Sequence, residues 1–250
     1  MKKILSLALL MTSAALAHDH VEVGTHPANP GQLAVDGPGV QLASYVPVGE
    51  FFSGYTPFFP GGCFASELTF TTENSVLDAP TGANPEIELV SVTGPADGSF
   101  SFWEINATSP TWSRGSGWTQ TSTDRPSFPV ILGDNNHLHG RAFSVDRPGE
   151  YQVTFRAVDR NALFQNSADY TLTFRALAPP PLSIRLSGGQ AVISFTSRLG
   201  LTYDLQSRTN LSSGAWELVN ATPIDGDGNL KEIVLPLSYP RAFFRLIEFK

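Results

Sequence analysis

The stretches "GEYQVTFRAV" (residues 149–158) and "YTLTFRAL" (residues 170–177) alternate apolar with polar side chains. Successive side chains of a β-strand point to opposite faces of its sheet, so a period of two is typical of a half-buried strand. The positions that would share the buried face are Tyr151, Val153, Phe155, Tyr170, Leu172 and Phe174. We interpret the similarity of the two stretches as two strands that face one core rather than as a repeat unit.

Similar short runs continue along the chain, and 22 glycines and 19 prolines help to separate them. After the first 17 residues no segment keeps the apolar spacing of an amphipathic helix. The runs that predict strands include "ELTFTT", "IELVSVTG", "GSFSFWEI", "LSIRLSGGQAVISF", "LTYDLQSR", "WELVNAT" and "YPRAFFRLIEF". The sequence therefore predicts an all-β protein built from β-sandwiches.

A run of three prolines, residues 179–181 in "ALAPPPLS", interrupts this series of strands. Proline cannot donate to a β-ladder, and consecutive prolines favour a stiff extended spacer. We predict two β-sandwich domains, over residues 18–177 and 182–250, joined by a Pro-rich linker at 178–181. In the second domain "SGG" and "DGDGNL" predict hairpin turns.

Residues 1–17 have the features of a signal peptide. Lys2 and Lys3 precede "ILSLALLMTSA", an apolar stretch too short to span a bilayer, and "ALA" supplies small residues for cleavage. We expect cleavage after Ala17, export to the periplasm or the extracellular space, and no insertion in the membrane. His18 would then be the first residue of the mature chain.

The chain is acidic, with a formal net charge of −7. Cleavage after residue 17 removes two lysines and leaves 14 basic against 23 acidic residues, a net charge of −9. Such a balance argues against nucleic acid and anionic lipid as partners. Cys63 is the single cysteine, so the chain has no intrachain disulfide.

The five histidines fall in two clusters, and four of them form His-x-His pairs. His18 and His20 lie in "ALAHDHVEVGTH" with His26, and His137 and His139 lie in "NNHLHGRAF". On a strand, residues i and i+2 share a face about 7 Å apart, from which two imidazoles can converge on one ion. If the first strand lies beside the "HLH" segment, the two pairs would bind a late transition metal, copper or zinc.

Two other interpretations of these histidines are open. A free amine at His18, two backbone amides and the His20 imidazole could form a square-planar copper or nickel site. Alternatively, the histidines are solvated residues of a chain terminus and a turn. Since no nucleophile motif, zinc-protease motif or phosphate loop is present, we predict no enzymatic activity. Copper-dependent oxidase chemistry at a terminal histidine is a minor alternative.

Aromatic residues suggest a second function from a different class. Tyr55 lies in the aromatic segment "FFSGYTPFFPGG", and Trp112 and Trp118 lie among serines and glycines. Aromatic rings on exposed loops could stack on sugars, which would make the protein an adhesion or glycan-binding module. The structural interpretation is that the aromatic segment covers the core.

Four motifs give residues 18–177 a resemblance to the choice-of-anchor M domain, a surface-anchored domain of actinobacterial wall proteins. The motifs are "DHVEVG" (19–24), "VTGPADGSFSFW" (92–103), "HLHGRAF" (137–143) and "RPGEYQVTFRA" (147–157). The resemblance implies an extracellular domain. It also implies metal capture through His20, His137 and His139, with a metal-transport system or a cell-surface component as partner. Gly140 and Arg141 stand where members often have Asn-Trp.

Residues 191–219 and the closing "RAFFRL" are similar to small β modules found at the ends of many secreted bacterial proteins. The resemblance implies an accessory or sorting role and no activity of its own. The side chains that it places in the core are Tyr203, Leu205, Trp216 and Phe244.

Overall fold

The computed structural model describes residues 19–46, 63–72, 76–104, 107–132, 141–211, 213–236 and 242–249. All regular secondary structure in these ranges is strand, which confirms the all-β prediction. Over the same ranges, no helix has the length and apolar character needed to cross a membrane.

The strands before the proline run form the N-terminal unit. They are β1 (Asp19–His26), β2 (Asn29–Asp36), β3 (Val40–Val46), β4 (Cys63–Thr71), β5 (Pro85–Thr93), β6 (Ser99–Trp103), β7 (Trp112–Gly115), β8 (Ser127–Pro129), β9 (Ala142–Val145), β10 (Gly149–Asp159) and β11 (Tyr170–Ala176).

The strands after the proline run form the C-terminal unit. They are β12 (Ser183–Ser187), β13 (Gln190–Thr196), β14 (Thr202–Arg208), β15 (Glu217–Leu218), β16 (Ile224–Asp225), β17 (Leu230–Pro236) and β18 (Phe243–Phe249).

The N-terminal unit is one sheet that folds over itself. Its strands follow the order β7-β6-β9-β4-β3-β11-β10-β5-β8, and β1 pairs with β2 and β4. The two ends of this path approach each other: Phe102 on β6, the strand next to the end strand β7, stacks on Phe128 of the other end strand, β8, with ring centroids 4.6 Å apart. The sheet therefore encloses its core in a sandwich-like arrangement.

The alternating strands β10 and β11 face this core as the sequence predicted. They pair antiparallel, with Tyr151 opposite Phe174 and Val153 opposite Leu172. All four side chains are at most 1% exposed. Phe174 also approaches Phe100 of β6, with ring centroids 4.9 Å apart. The core is thus dominated by aromatic rings in tilted and edge contacts, which such rings prefer.

The C-terminal unit has a second core between two smaller sheets. One sheet has the order β12-β13-β17, and in the other β14 pairs with β15, β16 and β18. Tyr203 and Leu205 are fully buried here and Phe244 packs against them, as the sequence predicted. Leu42 and Leu177 from the N-terminal side also pack against this cluster. The division into two independent domains stays a prediction.

Arg198 connects the C-terminal unit to the residues that precede the prolines. Its guanidinium donates to the backbone carbonyl of Ala178 at 2.7 Å and forms an ion pair with Glu248 at 2.6 Å. The carboxylate of Glu248 is 8% exposed, so most of this ion pair is shielded from water on the acidic side.

A glycine turn closes over Tyr151, the largest fully buried side chain of β10. The Tyr151 hydroxyl donates to the Arg147 carbonyl at 3.3 Å and to Oδ1 of Asp146 at 3.4 Å. Burial raises the pKa of Tyr151 to about 12, so the hydroxyl remains a donor. A Cβ added at Gly94 would lie 2.6 Å from Cδ1 of this ring. Because the ring is enclosed, it cannot move aside.

We expect Gly94→Ala to lower the free energy of unfolding by about 1–3 kcal/mol, the usual cost of overpacking. Gly39→Ala is the matched control, because a Cβ there meets nothing within 4 Å. It should change the free energy of unfolding by less than about 1 kcal/mol. Urea denaturation followed by circular dichroism measures both variants. Equal stability of the two would contradict this account of the turn.

Candidate functional site

The structure describes three of the seven candidate site residues. These are His20 on β1, Trp112 on β7 and Trp118 just after β7. The other four lie outside the described residues: His18, Tyr55, His137 and His139.

His20 lies on the outer face of β1. Its neighbour Val21 is fully buried and Val23 is 1% exposed, so the alternation of the strand places His20 and Glu22 on the opposite face. His20 is partly exposed there. Oε2 of Glu22 accepts hydrogen bonds from the backbone N–H groups of Val76 and Leu77 at 2.9 and 3.0 Å. This carboxylate therefore holds the 76–77 segment against β1.

Strand β4 is the shared partner of β1 and β9. β1 runs parallel to β4 with His20 opposite Thr69, and β9 runs antiparallel to it with Ala142 opposite Glu67. Two residues along a strand span about 7 Å. Because β9 is antiparallel to β4, the chain enters β9 from the direction of Thr69. In the described residues β1 and β9 therefore share β4 as a partner, and β1 does not pair with β9.

The remaining histidine of the N-terminal cluster has a local role. Nδ1 of His26 accepts a hydrogen bond from the backbone N–H of Ala28 at 3.2 Å, within the turn from β1 to β2. In the described part of the chain, no group of three His, Cys, Asp or Glu residues is arranged to hold a metal ion. The predicted metal site stays a prediction, since three of its four histidines lie outside the described residues.

The backbone at the start of β1 bears on the square-planar alternative. Asp19 and His20 both pair with β4, opposite Leu68 and Thr69. A copper or nickel site built from the backbone amides of these two residues would need this end of β1 to leave β4. Binding through imidazole side chains has no such cost.

The two candidate tryptophans, Trp112 and Trp118, pack at the rim of the N-terminal core. The Trp112 ring lies 5.4 Å from Phe102 and 6.0 Å from Phe100 between centroids. Nε1 of Trp118 donates to Asp124 at 2.9 Å, and the Arg114 guanidinium lies 5.4 Å from the centre of the Trp118 ring. Hydrogen bonds from Arg114 and Trp118 hold the pKa of Asp124 below its ordinary value, so the carboxylate stays charged.

The prediction that Trp216 belongs to the second core is wrong. Its ring lies instead between two guanidinium groups, with Arg208 and Arg245 at 4.6 and 4.4 Å from the ring centre. Arg245 on β18 lies opposite Gln206 on β14 and donates a hydrogen bond to its Oε1 at 2.6 Å. Positions 206 and 208 alternate with the buried Leu205, so Trp216 covers the outer face of this sheet. We call Arg208, Trp216 and Arg245 the Arg-Trp-Arg cluster.

Comparison with known proteins gives no family for this chain. No family model matches it, and no curated protein matches it. A solved structure of the FN1–FN3 domains of chicken CNTN1 aligns with 91% of this chain and 68% of that chain. The two sequences are 12% identical and the TM-score is 0.26. Similarity at this level carries no argument about function.

The Arg-Trp-Arg cluster should stabilise the C-terminal unit. We expect Trp216→Ala to lower the free energy of unfolding by about 1–2 kcal/mol, because two cation–π contacts are lost. Leu218→Ala, at a position that is 60% exposed, is the control and should cost less than about 0.5 kcal/mol. Urea denaturation followed by circular dichroism avoids relying on the tryptophan signal. A Trp216→Ala variant as stable as the control would show that the stacking contributes nothing.

Proposed function

We propose that the protein is an exported, non-enzymatic binding protein that holds a late transition metal ion, copper or zinc, through its two His-x-His pairs. The observation that supports this proposal is that β4 pairs both with β1, which carries His20, and with β9, which follows the "HLH" segment in sequence. β4 pairs with His20 through Thr69 and with the first residue of β9 through Glu67, two residues away. The "HLH" segment ends three residues before Ala142 in sequence.

The chemistry of the ligand set supports the same proposal. Neutral imidazole binds zinc and copper well, and it needs no thiolate in an oxidising compartment. Glu22 and Cys63 are less suitable as metal ligands than the histidines. Oε2 of Glu22 already accepts hydrogen bonds from two backbone N–H groups. Burial raises the pKa of the Cys63 thiol to about 11, so the thiol does not supply a thiolate at neutral pH. The metal would therefore be held mainly by histidine nitrogen.

The adhesion or glycan-binding alternative is compatible with the fold but has less support. A sugar-binding platform needs open aromatic faces. Trp112 packs on two phenylalanines, and Trp118 is held by Asp124 beneath Arg114. We therefore place metal binding first.

Calorimetric titration of the mature protein, beginning at His18, with Cu²⁺ and with Zn²⁺ tests the proposal. We expect one strong site for at least one of the two ions. Mutating the hydrogen-bond partners of metal ligands typically lowers metal affinity by roughly 10–100-fold. Because His137→Ala/His139→Ala removes two proposed ligands themselves, we expect it to lower the affinity by more than this. His20→Ala alone should also weaken binding clearly.

His26→Ala is the matched control, because His26 serves the turn to Ala28 and lies outside the proposed ligand set. It should leave the affinity unchanged. Equal affinities for the unmodified protein, His20→Ala and the double variant would contradict the proposal. Loss of binding in His20→Ala with full binding in the double variant would assign the metal to the chain terminus alone.

A further inference from the structure

Strand β12 is the exposed edge of the C-terminal unit. It ends the order β12-β13-β17, and all five of its residues are exposed. Its outer edge pairs with no strand among the described residues. Unpaired N–H and C=O groups along an edge strand are a template for a further strand, which proteins usually block with proline, lysine or a bulge. β12 has no proline, lysine or bulge, and its one charged side chain, Arg185, forms an ion pair with Glu232 of β17.

The core-directed face of this edge is also apolar. Ile184 pairs with Ile193 and Leu186 pairs with Ala191, and these β13 partners are 0% and 5% exposed. Side chains that are paired across strands share a face. Ile184 and Leu186 are nevertheless 53% and 71% exposed. The apolar face of the sheet therefore extends beyond the core that covers it.

Leu182, which precedes β12, is two residues before Ile184 and so continues the same face of the strand. It packs against the C-terminal core. The three residues Leu182, Ile184 and Leu186 form what we call the apolar stripe. It runs from the core outward along the edge, and its exposure rises towards the Gly188-Gly189 turn.

We propose that β12 is a self-association surface, at which a second copy of this chain pairs antiparallel with β12 about a two-fold axis at Ile184. In this register Ile184 meets its own copy, and Leu182 meets Leu186 of the second copy. Every position of the apolar stripe then faces another apolar residue. The interaction is isologous, so the same surface serves both copies.

Charge selects this register over its neighbour. An axis at Arg185 would place two arginines directly opposite each other, and like charges at such positions are destabilising. With the axis at Ile184, each Arg185 faces Ser183 of the second copy. Arg185 can also keep its ion pair with Glu232, at 3.2 Å, on the outer face of the sheet.

The two three-stranded sheets would join into one continuous six-stranded sheet. Because a single short strand from each copy forms the contact, the interface is at the small end of specific interfaces. The dimer should therefore be reversible and depend on protein concentration. This proposal is independent of metal binding, since its residues lie in the other unit.

Sedimentation velocity from low micromolar to near-millimolar concentration tests the association. The unmodified chain should shift from monomer to dimer as its concentration rises. Leu186→Asp should remain monomeric, and its exposure allows the fold to be kept, which circular dichroism checks. Leu163→Asp, at a 63% exposed leucine of the N-terminal unit, is the matched control and should dimerise like the unmodified chain.

Cysteine cross-linking tests the register in a Cys63→Ser background. On mild oxidation Ile184→Cys should form a disulfide-linked dimer, because residues paired at the axis have Cα atoms about 4.5–5.5 Å apart. Arg185→Cys should not, since it faces Ser183 and lies too far from its own copy. An unmodified chain that is monomeric at every concentration would overturn the proposal. Dimers that survive Leu186→Asp, or equal cross-linking of the two cysteine variants, would overturn it too.

Discussion

The backbone pairing of β4 with three other strands is the constraint on which the N-terminal unit depends. Its first half pairs with β3 and β9, and its second half pairs with β1. Phe70 on this strand lies 5.4 Å from Phe155 of β10 and 5.2 Å from Phe128 of β8, between ring centroids. The backbone of β4 thus pairs with β1, β3 and β9 along its two edges. Its inward-facing side chain Phe70 belongs to the aromatic core.

The sequence alone predicted the features that are encoded locally. The alternation at Tyr151, Val153 and Phe155 identified β10, because each side chain reports the face on which it lies. The prolines at 179–181 marked the change from the first hydrophobic cluster to the second. Gly188 and Gly189 indicated a hairpin, and both have the positive φ that such a turn needs.

Features that depend on distant pairing could not be predicted in the same way. β2 and β3 were absent from the expected strands, since "NPGQLAVD" and "VQLASYV" alternate weakly. Their place in the sheet comes from β1 and β11. For the metal site, His-x-His spacing predicts a shared face for each pair. The spacing within each pair does not report whether the two pairs meet, because that depends on how distant strands pair.

Trp216 shows a different limit of sequence reasoning. The resemblance to small β modules implied that Trp216 belongs to the core of the second unit. The structure places it on the outer face of the sheet, where two arginine side chains cover its ring. The local pattern could not reveal this, since Arg208 and Arg245 come from strands whose pairing joins separate parts of the chain.

The parallel pairing of β3 with β11 has a consequence for how the chain reaches its folded state. Val40 lies opposite Thr173, so the start of β3 can pair with β11 only after about 130 further residues have been synthesised. Closing such a long loop costs entropy before any contact is gained, which slows folding of all-β proteins. The N-terminal unit cannot be completed while the ribosome is still making its first half. Until β11 has been synthesised, the first residues of β3 therefore lack their parallel partner.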